Sequence, residues 1–148
     1  MVVNIDLILA SPTAIFGLPE VKRGVVAIAG ALPRLARTVG KQRAMEMALT
    51  GRNVPAAEAE KWGLVNAVCG NVVQEAVRWA ETIAQGSPDS VIVSREGVRL
   101  GWECGAEEAD GRVVEGRLWG GMEGGENMRE GVRAFVEKRG PRWVGSKL

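Results

Sequence analysis

The sequence contains no histidine. Proton transfer near neutral pH therefore falls to Glu, Asp, Lys or Cys. Cysteine is scarce as well. Cys69 and Cys104 show no CxxC spacing, and without histidine they cannot complete a usual zinc site. They read as small buried residues of a reducing compartment. Neither sign of charge is in excess: 19 basic and 18 acidic residues leave a formal net charge of +1. That balance gives no reason to expect a nucleic-acid or anionic-membrane partner. The 5 tryptophans are scattered and form no stacking ladder for bases. No apolar run reaches membrane-spanning length, and no basic segment opens the chain as in a signal peptide.

A chain of 148 residues fits one domain with a modest core. Its most informative stretch is Phe16-Gly17-Leu18-Pro19-Glu20-Val21-Lys22-Arg23-Gly24. It sets a single carboxylate just after a proline, between an apolar run and a glycine turn, and makes Glu20 the best-placed acid or base. Asp6, Lys22 and Arg23 have blander readings, the first as a strand-opening residue and the others as solvated loop cations. At the other end, Ser146-Lys147-Leu148 matches the peroxisomal address that an import receptor reads at a free C-terminus. The preceding Trp143-Val144-Gly145 is expected to leave that tail free.

The apolar run from Met1 to Ala10 suits a strand buried on both faces, or a helix end running into such a strand, yet nothing precedes it to pair with. Its part from Ile5 to Ala10 should expose an apolar edge. Ala14-Ile15-Phe16 reads as a second short extended piece. From about Pro33 the pattern is helical, with Leu35, Val39, Ala44, Met45, Ala48 and Leu49 on one face and Thr50-Gly51 as a stop. Ala56 to Trp62 is a short helix closed by Gly63, and Leu64 to Val68 is a strand or extended link. Val72 to Gln85 repeats Val73, Ala76, Val77, Ala80, Ile83 and Ala84 on one face. Ser87-Pro88 opens a helix expected to point Val91, Val98, Leu100 and Trp102 inward. Ala106 to Leu118 is amphipathic, and the glycine-rich 116–125 segment reads as a flexible connection, not a phosphate loop. Asn127 and Glu130 look like a capping box for a last helix running to about Arg139, with Val132, Phe135 and Val136 on its apolar side.

In order and spacing these pieces resemble the crotonase superfamily, especially enoyl-CoA hydratases. The matching blocks are 6–10, Phe16 to Glu20, Gly24, Arg34-Leu35, 39–51, Ala56 to Ala59, Trp62 to Val68, Ser87-Pro88 and Glu130 to Arg139. The resemblance covers almost the whole chain but only the second half of such a domain. It implies an α/β, ClpP/crotonase-like fold in truncated form. Residues of about 1–32 would be a remnant of the ββα spiral core, about 33–140 the helical region, and 141–148 the tail with its signal.

Hydration of a 2-enoyl-CoA needs backbone donors for the thioester oxygen, a carboxylate to activate water and a carboxylic acid to protonate the α-carbon. The resemblance implies that Glu20 is the second of the family's two catalytic glutamates. The first, with both oxyanion donors, would lie upstream of Met1, so little activity is expected of these residues alone. It also implies acyl-CoA substrates, no metal or redox cofactor beyond the CoA carried by the substrate, and a homo-oligomer, trimeric or hexameric. Phe135 and Lys138 fall where the family's last helix reaches a neighbour's CoA. The run Ala27 to Arg34 departs from the family's Pro-Gly-Ala-Gly-Gly-Thr-Gln-Arg: Ile28 and Ala31 replace glycines, and the Ile28 side chain should narrow the water site that its backbone N–H could contact. Fatty-acid β-oxidation, or acyl-CoA tailoring in secondary metabolism, is the expected setting. A one-glutamate enoyl-CoA isomerase and a non-catalytic partner of a full-length crotonase are the alternatives.

Overall fold

The computed structural model describes residues 2–148 and divides the chain into two compact units, one ending at Arg78 and one spanning Trp79–Leu148. In the first unit, strand β1 (Leu9–Ala10) is followed by β2 (Ile15–Gly17) and a single 3-10 turn over Pro19–Arg23. Helices α1 (Ala31–Val39) and α2 (Lys41–Thr50) come next, then β3 (Asn53–Pro55), α3 (Ala56–Lys61) and β4 (Ala67–Val68). β1 pairs in parallel with β4, setting Leu9 against Ala67 and Ala10 against Val68. β2 pairs antiparallel with β3, setting Phe16 against Val54.

Spacing explains the core. α1 buries Ala31, Leu35 and Val39, four residues apart, and α2 buries Ala44 and Met47, three apart. Of these, Leu35, Val39, Ala44 and Met47 join Ala10, the fully buried Val54, Ala56, Ala59, Leu64 and Val65 in one cluster. Gly40, at φ 84°, turns the chain between the two helices and ends the first of them, a stop not marked by the apolar spacing.

The unit boundary falls inside α4 (Val72–Ala84). The second unit continues with α5 (Pro88–Glu103), α6 (Ala106–Val114), α7 (Arg117–Met122) and α8 (Glu126–Val136). Ser87 caps α5, accepting a hydrogen bond from the Ser90 N–H, and Pro88 takes the first helical position as expected.

Several expectations need correction. The opening strand is only two residues long; Val2–Asn4 forms a 3-10 turn, Ile5 and Leu7 are exposed, and Met1 lies outside the described residues. β4 supplies just two residues of ladder; upstream of Leu9, Ile8 is held by Asn66 instead, its N–H donating to the Asn66 side-chain oxygen at 2.7 Å and its carbonyl accepting from the Asn66 N–H at 2.8 Å. In α5 the buried apolar residues are Val93 and Leu100, while Val91, Val98 and Trp102 are exposed. Met45 and Leu49 on α2 are exposed too, and Met47 takes the core position. The glycine-rich segment is not a plain connection but carries α7. α8 ends at Val136 and leaves Val132, Phe135 and Val136 exposed.

Candidate active site

Glu20 sits in the 3-10 turn that Pro19 opens and Gly24 closes at φ 69°. The N–H groups of Gly24 and Val25 both donate to the Glu20 carbonyl, so the backbone that carries the carboxylate is pinned. Gly51, buried at φ 57° after α2, backs the same turn. A Cβ there would lie 3.0 Å from Lys22 Cε, 3.1 Å from Val21 Cγ1 and 3.3 Å from the Leu18 carbonyl oxygen. Only glycine lets the chain pass this close with that φ. One Glu20 oxygen, Oε2, is shielded from solvent and has no hydrogen-bond partner among the described residues. A shielded, unpaired carboxylate oxygen is costly in a finished fold and is found where a substrate, water or further chain completes the site.

The segment after Glu20 is apolar and open. Val21, Val25, Val26 and Ile28 are exposed, Ile28 to 77%. Ala29 (φ 57°) and Gly30 (φ 76°) follow one another in the left-handed region before α1 begins. Ala29 is a strained non-glycine position. Gly30 leaves room for the Arg34 guanidinium, whose Nη1 would lie 2.0 Å from a Cβ at residue 30. The expected substitution of glycines by Ile28 and Ala31 thus has two different outcomes: Ala31 is buried in the core, whereas Ile28 stands in the open.

The other expected site residues lie in the second unit. Phe135 is 85% exposed on α8, and Lys138, also exposed, has a left-handed backbone at φ 53°. The same unit holds a groove of about 420 Å³ lined by Glu126, Asn127, Glu130, Arg133, Arg139, Arg142 and Val144, and neither Phe135 nor Lys138 lines it. The expected capping box is absent. Gly125 is the cap, Asn127 is buried inside the first turn, and Glu130 reaches forward instead of back. Glu130 accepts from Arg139 Nη1 and Nη2 at 2.6 and 3.0 Å and from the Arg142 N–H at 2.8 Å. The Arg139 guanidinium, then that backbone N–H, hold the Glu130 carboxyl down to about 2. The tail is also not free. Val144 exchanges two hydrogen bonds with the Asn127 side chain, and Lys147 pairs with Glu126 at 3.3 Å.

A family model described as enoyl-CoA hydratase/isomerase matches residues 1–146. The chain belongs to this family. Among curated relatives, the mevalonyl-coenzyme A hydratase of Beauveria bassiana is 52% identical over all of this chain and 54% of its own length. That of Aspergillus fumigatus is 51% identical over all of this chain and 56% of its own. A solved enoyl-CoA hydratase of Mycobacterium tuberculosis aligns with a TM-score of 0.87 at 34% identity, covering 97% of this chain and 57% of that one. The chain thus has the α/β crotonase fold and spans about half the length of the family members it matches. Of the sequence-level candidates, Glu20 has the firmest local setting. Gly51 and Arg34 emerge only from the contacts, because their spacing alone looks like a helix stop and a helix-surface cation.

Proposed function

We propose that these residues supply the Glu20 half of an acyl-CoA hydratase site that interconverts a 3-hydroxyacyl-CoA and its 2-enoyl-CoA, with mevalonyl-CoA as the leading substrate. The observation that carries this is the shielded Glu20 oxygen without a partner, in a turn whose backbone is already pinned. The substrate class is supported by two relatives, each about half identical across the whole chain, that are mevalonyl-coenzyme A hydratases.

In hydration, protonated Glu20 delivers its proton to the α-carbon as water adds to the β-carbon. In dehydration, ionised Glu20 removes that α-proton, and the β-hydroxyl takes a proton from the second, water-activating carboxyl group and departs as water. The exposed valines and Ile28 beside it are suited to an alkyl group of the acyl chain. The water-activating carboxylate and the thioester donors come from outside the 148 residues in this reading. A peroxisomal setting belongs to the same proposal and is supported by Ser146-Lys147-Leu148.

The test uses purified chain, alone and mixed with the complementary segment of the Aspergillus fumigatus relative. Hydration of crotonyl-CoA and dehydration of mevalonyl-CoA are followed with Glu20 intact and as Glu20→Gln. Negligible turnover alone, turnover in the mixture, and a loss of about 100-fold or more in Glu20→Gln are expected. Ordinary turnover by the chain alone, or a mixture indifferent to Glu20→Gln, overturns the proposal.

A further inference from the structure

The last eight residues fold back along α8 and α7, and their attachments differ sharply along their length. At Arg142 the backbone N–H donates to Glu130. The Trp143 indole N–H donates to the Gln85 carbonyl at 2.8 Å, and its ring lies against Gly131, 3.2 Å from where a Cβ would be. Val144 is clasped on both sides. Its N–H donates to Asn127 Oδ1 at 2.9 Å, and its carbonyl accepts from Asn127 Nδ2 at 3.0 Å. Asn127 is 2% exposed, and the same Nδ2 donates to the buried Asp89 carboxylate at 2.9 Å, so the clasp is rooted in the core.

Beyond Val144 the hold is lighter. Lys147 meets Glu126 in an exposed ion pair, the kind worth little in water. Half-buried Leu148 lies over Gly121, its Cδ2 2.7 Å from the position a Cβ would take. The Leu148 N–H turns inward onto the Ser146 hydroxyl at 3.2 Å. A receptor that reads a C-terminal tripeptide captures its carboxylate and side chains together. Leu148 cannot occupy the Gly121 seat and a receptor pocket at once.

We propose that residues 141–148 form a self-docked strap, hinged at the Asn127 clasp, that withholds the Ser146-Lys147-Leu148 address until residues 145–148 peel away. This rests on the peroxisomal reading above. The freed segment reaches about 13 Å beyond Val144 when extended, while the clasp stays shut. Apparent receptor affinity is then the intrinsic affinity multiplied by the fraction of molecules with the strap open.

The experiment measures binding of the tripeptide-reading receptor domain to the full chain and to the octapeptide of residues 141–148. The chain is expected to bind about three- to tenfold more weakly than the octapeptide. Gly121→Gln places a polar side chain in the Leu148 seat without changing the sequence of the tail, and is expected to bring the chain up to the octapeptide. Asn127→Ala opens the hinge and should act in the same direction; where that buried change fails to fold, Gly121→Gln alone decides. A chain that binds as well as the octapeptide, or a Gly121→Gln chain no better than its parent, overturns the strap. An octapeptide that fails to bind while an unrelated peptide ending in Ser-Lys-Leu binds overturns the peroxisomal reading, and the proposal with it.

Discussion

At the scale of single residues, Glu20 owes its setting to its neighbours' backbone more than to any charged partner. Two N–H groups hold its carbonyl, and Gly51 passes beneath the turn where no other residue fits. Gly51→Val should therefore cost about 2 kcal/mol of stability, because a β-branched residue is forced to positive φ against Leu18 and Val21. Denaturant midpoints of the parent and variant check this; equal midpoints would show that the turn can move away freely. In the mixture with the complementary segment, the proposed turnover should fall with the same change, and by about 100-fold or more in Glu20→Gln. Glu20 was legible from a proline, a glycine and an apolar flank. Gly51 was not, because its partners Leu18, Val21 and Lys22 lie far back in the chain.

At the scale of elements, α8 departs most from its apparent pattern. Val132, Phe135 and Val136 share one side and suggest a buried stripe, yet Asn127 and Ala134 are what the helix buries. A helix is held to its neighbours by whichever face finds partners, and here Asp89, Val144, Arg139 and Arg142 claim the polar face. Glu130 is central to that face and yields a pH prediction. Its carboxyl, held at about 2 in the fold, returns to an ordinary value near 4.5 on unfolding. The unfolded chain thus binds the proton first, so the contribution of Glu130 is whole above about pH 4.5 and is lost as pH falls toward 2. Thermal unfolding from pH 6 to pH 2 should show a shallower acid decline for Glu130→Gln than for the parent. Parallel declines would place the acid sensitivity elsewhere.

At the scale of the whole molecule, the notable quantity is apolar surface left open. Ile5, Leu7, Ile15, Val25, Val26, Ile28, Val73, Val77 and Phe135 are all more than 40% exposed. None of the side chains of α4 is buried, although its sequence is amphipathic. Contiguous apolar surface is what protein–protein contacts cover, and the chain spans about half the length of the relatives it matches. The purified chain is expected to self-associate, or to co-elute with a full-length homologue on gel filtration. A monomer that stays monodisperse at tens of micromolar, binds no hydrophobic dye and ignores the homologue would contradict this.

The sequence by itself determined the family, the helix stops at Gly51 and Gly63 and the capped start of α5, and it singled out Glu20 as a candidate. These depend on local backbone preference and on residue order, which are written along the chain. Only the tertiary structure decided that Val93 and Met47 face inward while Val98 and Leu49 do not, that Gly51 supports Glu20, and that the tail is clasped by Asn127. Each of those outcomes depends on which distant groups arrive to satisfy a buried atom or cover an apolar one, and periodicity along a helix does not carry that information.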